Sequence, residues 1–187
     1  MEHIEHPSRE IWEQRRSWFE AVEEKAQGEG SYLVSEQACA LTADVQAAFC
    51  AGAWAGVIIL SMIVVDAALR ETEIPGFKGN TKKLIEAANA NPRLQVMRER
   101  RNALVHVDSE NSALTVDQQW AEREKLEKEA KEAIELMFEA FFISPWVQCW
   151  PTNHCSGRVK TASLSFAIKQ NDRVTRDEGS KEANNLK

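Results

Sequence analysis

Arg101-Asn-Ala-Leu-Val-His106 places a fixed cation, an amide and a titratable imidazole within six residues. Arg98 and Arg100 stand just before it. An anion held by a guanidinium fork beside an acid/base histidine is the smallest set of groups that can work on a phosphodiester. If Pro92–Val107 is helical, at about 100° per residue, then Leu94, Met97, Arg101, Leu104 and Val105 fall broadly on one face. Arg101 therefore lies on the inward stripe, where a cation needs a partner or an interface. Asn102 and His106 are four apart and share a face. Arg101 and His106 are about 140° apart around the same helix. They converge through the length of the arginine, through an end of the helix near His106, or through a site shared between two protomers. Asp66, which interrupts the apolar run Ala47–Leu69, is expected to face a polar group, and Arg101 or His106 is the expected contact. The plainer reading is an arginine that locks two helices and a histidine that caps one.

The elements that must position these groups read as helices, because the strict alternation of a half-buried strand is scarce. Ser8 is placed to cap a first helix to about Gln27, stopped by Gly28-Glu-Gly30. A second helix starts at Ser35 or Thr42 and runs unbroken to about Glu71. Its core approaches the ~20 residues of a membrane span, but Asp66 and the charged Arg70, Glu71 and Glu73 favour a buried central helix. Asn80 caps a short helix, Thr81–Asn89. Asn91-Pro92 opens the helix that carries the arginines, with Pro92 at its first position. Asp108–Val116 is a polar loop. A last amphipathic helix, Asp117–Phe142, leaves its Glu/Lys face to water, and Ser144-Pro145 ends it. Residues 1–144 thus form an all-α bundle of four to five helices. Residues 145–187 form an appendage containing Trp146 and Trp150, with a brief strand at Ser163–Lys169 and a weakly structured, polar tail from Gln170.

Composition narrows the partners. The formal net charge is −6 and the pI about 5.4, so the surface does not coat duplex nucleic acid or an anionic membrane. Any nucleic-acid contact is local, at Arg98 and Arg100, with Lys78, Lys82 and Lys83 as a weaker extension. The alternative for Arg98-Glu-Arg100 is a solvated helix face. Four cysteines include no tight pair, and the charged N-terminus lacks an apolar signal core. The expectation is a reducing, cytoplasmic setting. Cys149, His154 and Cys155 fall one short of the four ligands of a structural zinc, so no metal and no cofactor are expected.

Three features together resemble the HEPN family of small helical domains. They are the helix Ala51–Arg70 ending in an acid and an arginine, the short helix Thr81-Lys-Lys-Leu-Ile-Glu-Ala-Ala88, and Arg101-Asn-Ala-Leu-Val-His106, which fits that family's Arg-x4-His pattern. The likeness spans about Val34–Phe142. It implies a helical bundle of four or five helices, commonly a homodimer. It also implies metal-independent endoribonuclease activity, as in toxin–antitoxin, phage-defence or RNA-processing systems, with an antitoxin-type protein as a further partner. Arg101 would then stabilise phosphate charge, His106 would act as acid/base while a ribose 2′-OH attacks, and Asn102 would orient the phosphate or His106. Asp66 stands where relatives often carry an acid, more familiarly glutamate. The family also holds non-catalytic modules that bind a protein or a nucleotide, which is the alternative function.

Overall fold

Serine hydroxyls set the first two helix starts. The computed structural model describes residues 6–106, 108, 110 and 112–144. Ser8 Oγ accepts from the Ile11 N–H at the start of α1 (Arg9–Gln27), and Gly28, at φ 56°, ends it. Ser35 Oγ accepts from the Ala38 N–H at 3.0 Å to open α2 (Glu36–Ala51). Thr42, the other candidate start, is buried inside α2 and donates to the Ala38 carbonyl at 2.8 Å.

The long second helix is corrected by a glycine. Gly52 adopts φ 78° and ends α2, its N–H reaching the Phe49 carbonyl while Ala53 N–H reaches Ala48. These are the paired bonds of a helix terminated by a left-handed residue. The chain restarts as α3 (Trp54–Ala68) and widens into a π-helical turn, Leu69–Glu73. Side chains from distant helices hold the corner. Arg15 donates to the Cys50 carbonyl at 3.0 Å and Arg123 to that of Gly52 at 2.7 Å. Both guanidinium groups lie over the Trp54 ring, 4.7 and 5.5 Å from its centroid. Burial and the neighbouring Arg15 push Arg123 below the ordinary arginine value.

Asn80 caps α4 (Thr81–Ala87), accepting from Lys83 N–H at 3.0 Å. Asn89, at φ 48°, ends that helix as Gly52 ends α2, its N–H reaching the Glu86 carbonyl while Ala90 N–H reaches Ile85. Asn91 Oδ1 accepts from Arg93 N–H at 2.9 Å, and Pro92 immediately precedes α5 (Arg93–Val105). The last helix is two. Thr115 and Gln118 form a reciprocal capping box for α6 (Val116–Ala121), and Glu122 interrupts the helix before α7 (Arg123–Phe141). The break stands directly before the arginine that reaches Gly52.

Among the described residues, then, five helices of 13 residues or more (α1, α2, α3, α5, α7) and two short ones form an all-α bundle. The central α3 packs chiefly on α2 and α7, and α5 lies against it as well. Its Val57, Ile58, Met62, Val64 and Val65 are fully buried. Phe19 meets Phe138 edge-on at 5.2 Å, and Phe49 stands 5.5 Å from Trp54. Truncating such an aromatic to alanine typically costs about 3–5 kcal/mol. No described helix is long and apolar enough to cross a membrane. The chain divides into two units, Met1–Gln148 and Cys149–Lys187, and every described residue lies in the first. The expectations for Trp146, Trp150, the brief strand and the polar tail lie outside the described residues.

Candidate functional site

Helix α5 carries the arginines because its apolar stripe is short. Leu94 and Met97 are buried. Arg101 takes the next place on that stripe and is half-buried. Its Nε is sealed from solvent and has no hydrogen-bond partner. An unpaired buried N–H on a charged group costs on the order of 1–3 kcal/mol, so this arginine is held at a standing disadvantage. The helix stops at Val105. His106 turns extended (φ −103°, ψ 121°), donates its backbone N–H to the Asn102 carbonyl, and leaves its side chain exposed. The end of α5 therefore frees His106 from the ~140° separation that a continuing helix would impose. The Asn102 side chain is half-buried. No hydrogen bond or ion pair engages the side chains of Arg101, Asn102 or His106 among the described residues.

The other arginines of α5 are committed. Arg100 makes a forked pair with Glu129 (2.5 and 3.1 Å) and donates to the Ala113 carbonyl at 2.9 Å. Arg93 pairs with Glu132. Arg98, whose side chain is 15% exposed, donates to Gln95 at 3.0 Å and to Glu99 at 3.1 Å. Arg98 and Arg100, expected to bind phosphate, thus have partners within the chain, and Arg100 ties α5 to α7. Glu129 and Glu132 come from the face of α7 that was expected to be left to water.

Asp66 is a further correction. Arg70 grips it with Nε at 2.6 Å and Nη2 at 3.2 Å, and the Thr81 hydroxyl donates to it at 2.7 Å. Neither Arg101 nor His106 is its partner. Arg70 also donates to the carbonyls of Phe77 and Gly79 at 3.0 and 3.1 Å. The hydrogen bond to Asp66 pushes Arg70 further above its ordinary value. This network fastens the π-helical turn and the following loop to the start of α4. Arg70 was not singled out from sequence as a partner for Asp66, although its position four residues on is the spacing at which helical neighbours pair.

Cavities open on both the N-terminal and C-terminal parts of α5. One, of about 190 Å³, has Ile58, Met97 and Leu136 in its lining, with the Arg93–Glu132 and Arg100–Glu129 pairs alongside. Another, of about 260 Å³, lies beside His106 and is walled by Ala55, Ile59, Leu104 and Leu114, with Asp108 and Ser112 in its polar lining. Lys78, Lys82 and Lys83 are exposed. Among the described residues no three His, Cys, Asp or Glu side chains gather as a metal centre requires. Cys149, His154 and Cys155 lie outside those residues. Burial pushes the thiols of Cys39 and Cys50 up. Comparison with protein-family models, with curated proteins and with solved structures finds no match to this chain.

Proposed function

We propose that this chain is a HEPN-like, metal-independent endoribonuclease that uses Arg101 and His106. The observation that carries the reading is the contrast along α5. Arg93, Arg98 and Arg100 are paired within the chain, whereas Arg101 has no partner among the described residues and His106 stands exposed at the helix end. An arginine kept half-buried without a counter-ion is poised for an external anion. In this reading the guanidinium takes a phosphate oxygen and offsets the charge that builds as the ribose 2′-OH attacks phosphorus. His106 transfers the proton, accepting it from the 2′-OH or delivering it to the departing 5′-oxygen. The products are a 2′,3′-cyclic phosphate and a 5′-hydroxyl. Asn102, one turn before His106, orients the phosphate or the ring. The working unit is a cytoplasmic homodimer, of the kind found in toxin–antitoxin or phage-defence systems, with an antitoxin-type protein as a partner.

The alternative, a non-catalytic module that binds a protein or a nucleotide, expects Arg101 to be consumed by a salt bridge such as one with Asp66. Asp66 is instead held by Arg70 and Thr81. The test is cleavage of single-stranded RNA by purified protein in EDTA, beside Arg101→Ala and His106→Ala. Cyclic-phosphate ends that fall at least about 100-fold in both variants are expected, the scale of losing a charge-stabilising donor or an acid/base group. No cleavage by folded wild type across a pool of random RNA would turn the assignment to the binding module.

A further inference from the structure

The cavity beside His106 adjoins the imidazole. Its walls come from three places in the chain. Ala55 and Ile59 come from α3, Leu104 from the last turn of α5, and Leu114 from the segment before α6. His106, Asp108 and Ser112 supply polar groups to the same lining. At about 260 Å³ it is well above the ~150 Å³ cavity that accommodates a benzene ring. A single pyrimidine ring would leave space unfilled, whereas a two-ring purine would use it. Aliphatic walls, with a hydroxyl and a carboxylate in the lining, suit a base face and its hydrogen-bonding edge, which is how an unstacked nucleobase is held. The protein's net charge of −6 weighs against an occupant held mainly by long runs of phosphate contacts. A base seated by apolar contact is consistent with that balance.

We infer that this cavity seats one purine base next to the scissile phosphate, so that the purine selects which bond lies against His106. The inference rests on the ribonuclease reading of Arg101 and His106. It makes Leu104 and Leu114 specificity-determining residues and leaves proton transfer to His106.

Ala103 lines the same cavity and is exposed on α5, so a large side chain there fills the space without entering the core. The experiment compares wild type with Ala103→Trp on two single-stranded RNAs, one with a purine beside a mapped cleavage site and one with an abasic ribose in its place. Wild type is expected to cleave the purine substrate about tenfold faster or more, the scale of one stacked base, and in Ala103→Trp that ratio should fall toward one. Equal cleavage of both RNAs by wild type, or an unchanged ratio in the variant, overturns the inference. A second arm measures binding of adenosine 3′-monophosphate and uridine 3′-monophosphate by calorimetry to both proteins. Tighter adenosine binding that Ala103→Trp abolishes supports the pocket even if no RNA is cleaved, in which case only the ribonuclease reading fails. Absence of any adenosine preference in wild type overturns the pocket even if cleavage proceeds.

Discussion

At the scale of single residues, pairing separates structural from chemical roles. Asp66 makes three hydrogen bonds, two from Arg70 and one from Thr81. Asp66→Asn keeps the shape but loses the charge and misplaces a donor. It should lower stability by about 1–3 kcal/mol in urea unfolding while leaving cleavage per folded molecule unchanged. Loss of cleavage with stability intact would return Asp66 to the active site. Glu23 gives a pH test. Burial, with Glu20 adding repulsion, raises its carboxyl above the usual value. A raised carboxyl favours the fold while protonated, and that contribution is lost as pH rises through the raised value. Glu23→Gln should therefore melt higher than wild type at neutral pH, and the advantage should shrink as pH falls toward the ordinary carboxylate range. Not all of this was legible in the sequence. The Arg101–His106 spacing was visible because it is local; the Asp66–Arg70 pair is just as local, but Asp66 was expected to face Arg101 or His106 instead. The commitment of Arg100 was not, because Glu129 lies 29 positions away and nothing in the local pattern marks it.

Helix starts were legible for a similar reason. Ser8, Ser35 and Asn80 each bond to a backbone N–H three residues ahead, so the signal and its structural effect share one turn. Interruptions were harder to see. An apolar run across Ala51–Val65 hides the corner at Gly52, because hydropathy does not register a change of direction between two buried helices. The break at Glu122 falls in a stretch of good helix formers and carries no local signal at all. The glycine itself can be tested. Its φ is 78°, and a Cβ would stand 3.0 Å from Arg15 Nη1 and 3.1 Å from Arg123 Nη2. Gly52→Ala should destabilise by more than about 1 kcal/mol, from backbone strain and displacement of the guanidinium groups together. A thermal melt equal to that of wild type would show that the corner tolerates a side chain.

For the molecule as a whole, the net charge of −6 and the paired state of Arg93, Arg98 and Arg100 confine anion attraction to a small region. Single-stranded binding loses about 0.7 in the log–log salt slope per neutralised phosphate. RNA binding held by Arg101 and one further cation should therefore show a slope of roughly −1.4 in salt titrations. A slope several times steeper would mean a broad basic surface that these contacts do not provide. The all-α class was readable from the period because, before Pro145, no stretch of strand alternation competes with it. The helix count was not, since both extra helices arise from the breaks at Gly52 and Glu122.

The corner between α2 and α3 also bears on the order of folding. Its latches join residues 35 and 71 positions apart, whereas α2 and α3 are adjacent in sequence and can meet early. Long loops must close before such latches form. The hairpin of the two central helices is thus free to collapse with an unlatched corner, and the first and last helices fix its angle on arrival. A contact made that late resists unfolding more than it speeds folding, so Arg15→Ala and Arg123→Ala are expected to raise the unfolding rate measured in urea more than they lower the refolding rate.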